Sequence, residues 1–200
     1  MKTNSPNPLR LFLIRHGETE WSRTGRHTGR TDIPLTPNGE NKARELGRHL
    51  RDIPFALVLS SPLKRAMQTC KLSLDKFPEM EADLAEWDYG DYEGQRSADI
   101  RKQKADWNVY RDGCPGGEMP EQICARADRL VARLRQLDGN IALFAHGQIG
   151  SAIAARWIGL ALVEAQHFPL GTTTLSILAE DPHHPGVPVI ALWNAATQEI

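Results

Sequence analysis

Leu11-Phe12-Leu13-Ile14-Arg15-His16-Gly17-Glu18-Thr19 is the stretch on which the reading of this chain turns. Four consecutive apolar residues, with Leu9 just ahead of them, describe a strand buried on both faces, because a strand with one wet face would alternate apolar with polar. Doubly buried strands belong to parallel sheets covered by helices on either side. A strand is therefore predicted over Leu9–Arg15, and it runs out at Arg15-His16-Gly17. In an open α/β sheet, ligands bind in the crevice outside the carboxyl ends of the strands. An imidazole beside a guanidinium suits that place. The neutral ring is a nucleophile toward a phosphoryl group, and the permanent cation holds an anion.

The same pattern recurs twice downstream. A strand over Phe55–Leu59 runs into Ser60-Ser61-Pro62-Leu63-Lys64-Arg65, where a hydroxyl cap and an early proline predict a helix start with Arg65 on its first turn. Backbone amides also face anions there. A strand over Asn140–Ala145 ends at His146-Gly147, with a helix from about Gly150 to Ile158 behind it. Glu86 adds a carboxylate within Leu84-Ala85-Glu86-Trp87-Asp88-Tyr89-Gly90, a segment it shares with Asp83, Asp88, Asp91 and Glu93. Two arginines, two histidines and a carboxylate thus fall at or near strand ends.

Between these points, Trp21–Gly39 is rich in Gly, Pro, Thr and Arg and reads as a long active-site loop. Thr36 or Asn38 caps a helix that runs to about Leu50, and Pro54 marks the break after it. Met119–Leu137 carries Ile123, Ala127, Leu130, Val131 and Leu134 at helical spacing, the pattern of a helix that covers a core. Thr172–Leu178 and Val187–Trp193 read as late strands. The alternation predicts a three-layer α/β/α sandwich around a mostly parallel sheet with one late strand antiparallel. It forms a single domain over residues 9–200, preceded by a flexible N-terminus over residues 1–8.

Composition narrows the partners. A hydrophobic share of 40% and a charged share of 24% suit a soluble globular protein, and a net charge of -1 leaves no overall basic surface for nucleic acid or an anionic membrane. No apolar run approaches the ~20 residues that cross a bilayer. Cys70, Cys114 and Cys124 lack the paired spacing of a zinc site and read as reduced structural thiols. His27, His167, His183 and His184 match no ligand pattern, and Pro182 and Pro185 mark an exposed loop. No metal and no cofactor are expected. Met1–Pro8 has no apolar signal-peptide core, so a cytoplasmic location is expected. Nothing in the pattern speaks to oligomeric state.

With these residues assembled, the chain resembles the histidine phosphatase (phosphoglycerate mutase-like) superfamily from about Leu9 to Asn194. Glu20-Trp21-Ser22 with Thr28–Pro37, Glu86–Gly94 and Trp107–Cys114 are similar to its sedoheptulose-1,7-bisphosphatase branch. The resemblance implies that His16 attacks phosphorus and becomes phosphohistidine. Arg15, Arg65 and His146, the last as an imidazolium, would hold the equatorial oxygens. Glu86 would protonate the leaving alkoxide and then activate water. Ser22, Thr28, Gly29 and Gly147 would line the phosphate pocket, and no metal would be needed. Many members carry Asn where this chain has Ser22, and often Ser where it has Met119; both departures bear on substrate contacts. Arg23, Arg26 and Arg30 are either a solvated face or the receiver of a second phosphate.

The function so implied is a metal-independent phosphomonoesterase acting on a phosphorylated sugar or similar small metabolite, sugar bisphosphates included. A phosphoglycerate mutase is the alternative. Mutases of the family carry an inserted lid after the glutamate motif, for which the segment from Gly94 to Gly117 is short. A phosphoprotein phosphatase or a non-catalytic phospho-binding module is a third reading, and the intact set of His16, Arg65, Glu86 and His146 speaks against the binding module.

Overall fold

In the computed structural model, which describes residues 8–199, the first strand is β1 (Arg10–Arg15). The expected flexible N-terminus lies, apart from Pro8, outside the described residues. After β1 come α1 (Glu20–Arg23), α2 (Pro37–Leu50), β2 (Phe55–Ser60), α3 (Lys64–Leu74), β3 (Glu79–Met80), α4 (Ser97–Gln103) and α5 (Val109–Asp112). The chain continues through α6 (Pro120–Leu134), β4 (Asn140–Ala145), α7 (Gly147–Trp157), β5 (Leu175–Glu180) and β6 (Pro188–Ala195).

Strand order across the sheet is β3-β2-β4-β1-β5-β6, and β5 alone runs against the others. The doubly buried reading of β1 is met residue by residue. Leu11 and Leu13 enter one core with Ile141, Leu143 and the inner faces of α6 and α7. Phe12 and Ile14 enter the other with Ala142, Phe144, Leu46, Leu50 and Ala66. Side-chain alternation along a strand sends neighbours to opposite faces, so one apolar run supplies both cores of an α/β/α sandwich.

Several boundaries differ from the sequence reading. The loop predicted over Trp21–Gly39 contains α1, nucleated by a capping box in which Thr19 Oγ1 accepts from Ser22 N while Ser22 Oγ accepts from Thr19 N. No serine caps α3: its N-cap is Leu63, and Ser61 Oγ is held instead by His146 Nε2 at 2.7 Å. α7 starts at Gly147, directly after His146, ahead of the predicted Gly150. Gly150 therefore stands inside α7, where a Cβ would approach Leu170 Cδ1 to 2.7 Å. The strand predicted from Thr172 begins only at Leu175, since Thr173 adopts φ 60°, a left-handed conformation that ends extended pairing. α6 stops at Leu134, short of the predicted Leu137.

Cys70 and Cys114 are buried free thiols, and burial pushes each up to about 12, far from thiolate reactivity. Among the described residues no helix is long and apolar enough to cross a membrane.

Candidate active site

Parallel pairing of β1 with β4 sets Arg15 opposite Ala145, so the next residues, His16 and His146, leave the sheet side by side. Their ring centroids are 5.1 Å apart. His16 N donates to the Ala145 carbonyl at 3.0 Å, and Thr173 N donates to the carbonyls of Arg15 and His16. The strained turn at Thr173 thereby holds the backbone from which both functional side chains spring. Gly17 is required here: its N–H donates to Thr69 Oγ1 at 2.9 Å, and a Cβ would lie 2.8 Å from the Gly39 carbonyl oxygen at the start of α2.

Hydrogen bonding assigns the His16 tautomer. Its Nδ1 lies 2.7 Å from the Gly17 carbonyl oxygen, which can only accept, so Nδ1 carries the proton and Nε2 keeps a free lone pair. Burial, reinforced by Arg15 and Arg65, holds the His16 pKa well below its ordinary 6.5. The ring is neutral near pH 7.

Arg15, His16, Ser22, Thr28 and Glu86 line one polar cavity of about 240 Å³, together with Arg26, His27, Tyr89, Ser97 and Gln148. Arg15 Nη1 donates to the Leu170 carbonyl, while its buried Nε has no partner among the described residues. A guanidinium that lines a polar cavity is a ready anion donor. A larger, apolar hollow of about 370 Å³, lined by Arg44, Met67, Lys71 and Phe77, shares no residue with this cavity and holds none of the groups the chemistry needs.

Glu86 is buried, and its carboxylate rests on the N-terminus of α7. Oε1 accepts from Trp87 N at 2.9 Å and Ile149 N at 3.0 Å, and among the described residues Oε2 accepts only from Gln148 N at 3.0 Å. A carboxylate oxygen offers two lone pairs, so Oε2 is the oxygen with one to spare. The neighbouring acids have other work. Glu93 accepts from Gly29 N and Thr31 N, Asp88 pairs with Arg30 at 2.7 Å, and Asp83 pairs with Arg129.

The remaining expected residues lie behind the cavity wall. Arg65 is buried, with Nε donating to His146 Nδ1 at 3.1 Å and its other nitrogens to the carbonyls of Thr28, Gly29 and Thr31. Four of its five N–H groups are in use. Since His146 Nδ1 accepts from Arg65, its proton is on Nε2 and goes to Ser61 Oγ. Burial and Arg65 keep its pKa well below 6.5, so His146 is a neutral ring and not the expected imidazolium. Gly29 is buried beneath Tyr89, and Gly147 packs on Arg15, where a Cβ would sit 3.4 Å from Cζ. Ser22 and Thr28 line the cavity, but their hydroxyls donate to the carbonyls of Thr19 and Arg26.

Sequence reasoning missed Tyr89, His27, Ser97 and Gln148 as cavity-lining residues. Gln148 had a signal in its place directly after His146-Gly147, Tyr89 in the Glu86–Gly94 segment and His27 in the loop over Trp21–Gly39; Ser97 had none. Among the described residues no group of three or more His, Cys, Asp or Glu is arranged to hold a metal ion.

A family model described as histidine phosphatase superfamily (branch 1) matches residues 11–195. This chain belongs to the histidine phosphatase superfamily. An acid phosphatase of Mycobacterium tuberculosis is 41% identical over 172 residues, covering 84% of this chain and 85% of that protein. A sedoheptulose 1,7-bisphosphatase of Saccharomyces cerevisiae is 36% identical over 184 residues, covering 76% and 68%. Among solved structures, that of an open reading frame of Mycobacterium tuberculosis matches with a TM-score of 0.89 at 37% identity, covering 94% of this chain and 98% of its own. The histidine phosphatase described here is thus an enzyme of phosphate chemistry, a phosphatase, on a fold shared along nearly its whole length.

Proposed function

We propose that this phosphatase hydrolyses phosphate monoesters of small sugars, with His16 as nucleophile and water as the final acceptor. The observation that carries this reading is one cavity lined by three complementary groups: His16 with a free Nε2 lone pair, the Arg15 guanidinium, and Glu86 with a spare lone pair on Oε2. His16 Nε2 attacks phosphorus while Arg15 takes up charge on the equatorial oxygens, the role that positive groups play in phosphoryl transfer. Glu86 gives a proton to the leaving alkoxide from Oε2, and takes one back from the water that attacks phosphohistidine. Arg65 contributes its one unused N–H from behind. His146 reaches a phosphoryl oxygen by trading its Ser61 bond for one to the substrate.

Of the three loop arginines, Arg23 pairs with Glu20 at 2.7 Å and Arg30 with Asp88, whereas Arg26 lines the cavity with no ion pair among the described residues. Arg26 is the group to meet a distal phosphate of a sugar bisphosphate. Water, and not a bound sugar acid, accepts the phosphoryl group because the segment after the glutamate motif is built into the core. Ile100, Trp107, Val109, Tyr110 and Cys114 are all buried there, leaving no free flap to seal phosphohistidine from solvent.

The test compares phosphate release from fructose and sedoheptulose bisphosphates with 2-phosphoglycerate formation from 3-phosphoglycerate primed by 2,3-bisphosphoglycerate. We expect release from the bisphosphates, weakened in KM by Arg26→Ala, and little isomerisation. Rapid 2-phosphoglycerate formation without phosphate release overturns the reading.

A further inference from the structure

Glu86 is held from two sides, and only one of them is the helix end beneath its carboxylate. The other is Arg126, a buried arginine on α6 that does not line the cavity. Its guanidinium has five N–H donors, and each one is used. Nε and Nη2 form a two-pronged pair with Glu118 Oε1 and Oε2 at 2.9 and 3.0 Å. Nη1 donates to the carbonyls of Asp83 and Ala85 at 2.9 and 2.7 Å, and Nη2 also donates to the carbonyl of Glu86 at 3.2 Å. Three carbonyls within four residues thus converge on one side chain.

Glu118 closes the other half of the same knot. Its Oε2 accepts from Asp88 N at 2.9 Å, its backbone N–H donates to the Asp88 carbonyl, and its carbonyl accepts from Trp87 Nε1 at 2.8 Å. The main chain on both sides of Glu86 is therefore tied to a single buried ion pair. The segment has no strand or long helix to stiffen it, only a short 3-10 turn over Ala82–Leu84. Together with the buried side chains of Leu84 and Trp87, the pair fixes where the Glu86 carboxylate meets the N–H groups of Gln148 and Ile149.

We infer that Arg126, through its pair with Glu118, is the positioning residue for the proton donor of this enzyme. The inference rests on Glu86 acting as that donor, as proposed above. Arg126 touches no substrate. It sets the main chain of residues 83–86 so that Oε2 stands over the leaving oxygen, and geometry of this kind is steep, with about 1 Å of misplacement costing on the order of 100-fold in rate.

The experiment reads leaving-group dependence. Protonation matters for an alkoxide and scarcely for a nitrophenolate, so glycerol 2-phosphate and p-nitrophenyl phosphate report with and without the proton. Glu86→Gln is expected to lose about 10²- to 10⁴-fold on glycerol 2-phosphate and far less on p-nitrophenyl phosphate. Arg126→Lys keeps the charge and discards the five-donor fork, and is expected to show the same preference at about 10- to 100-fold, in kcat more than in KM. Combined with Glu86→Gln it should add no further loss on glycerol 2-phosphate, since two changes acting through one group are not additive.

Equal losses on both substrates, no loss on either, or full additivity in the double variant would overturn the inference. Should Arg126→Lys fail to fold by circular dichroism, Glu118→Gln keeps the side-chain shape while weakening the pair, and the same signature is required of it. Glu86→Gln showing no substrate preference removes the reading of Glu86 and this inference with it. Preference in Glu86→Gln but in neither clamp variant removes the inference alone.

Discussion

A ring nitrogen tied to the carbonyl of the next residue leaves a histidine with one lone pair to offer, and that constraint makes His16 a sharp test. His16→Ala should abolish turnover and the acid-labile, base-stable phosphate that rapid quenching traps on the protein. Turnover surviving in that variant would move the nucleophile elsewhere. Arg15 and His16 were legible as candidates because the chemistry lay in residue type and in position at a strand end, whereas only the family resemblance singled out Glu86 from the acids around it. The inward turn of Arg65 and His146 was not. Their partners are the carbonyls of Thr28, Gly29 and Thr31 and the hydroxyl of Ser61, groups that every sequence supplies and no spacing marks. The clamp on Glu86 was hidden for the same reason, since three of its five acceptors are backbone oxygens.

At the scale of elements, α2 couples a cap to the active-site loop. Thr36 Oγ1 accepts from Gly39 N at 3.0 Å and donates to Glu18 Oε1 at 2.7 Å, joining the helix start to the residue after Gly17. Thr36→Ala should lower stability by about 1 kcal/mol, the usual size of a lost hydroxyl cap, while Thr36→Ser keeps the oxygen and nearly all the stability. Urea midpoints of the two variants check this, and an equal loss in both would mean that the methyl packing, not the cap, matters. β1 and β4 were read well because a doubly buried strand has an unmistakable apolar run, whereas β3, two exposed residues, has none and was missed. The start of α7 was read late because Gly147 weakens helices in general, whereas here it opens the helix directly after His146. The α1 turn escaped notice because its capping box uses Ser22 in place of the usual Glu or Gln.

The whole molecule carries a pH dependence written by three histidines. Burial holds the pKa of His16 and of His146 well below 6.5 and brings that of His27 down to about 4. Each is free to bind a proton near pH 6.5 when unfolded but resists it when folded, so the unfolded state takes up more protons and stability falls as pH drops from 6.5. For His27 alone, a shift of this size corresponds to roughly 3 kcal/mol lost by about pH 4. Urea midpoints between pH 7.5 and 4.5 should decline, and His27→Gln should flatten part of the decline. A midpoint that stays level across that range would contradict the buried neutral state of these rings.

The position of β4 between β2 and β1 has a consequence for how the chain is made. Both of its neighbours leave the ribosome long before it does, and neither can pair with the other in the native order. Until β4 emerges, β1 and β2 present unsatisfied edges, the feature that invites pairing with other chains. The nascent protein therefore waits, half its central sheet open, for a strand that slots in between two earlier ones, and only that insertion brings the two histidine-bearing ends together. Long-range parallel pairing is slow to form. Refolding should be limited by this one insertion, and the return of activity should report it directly.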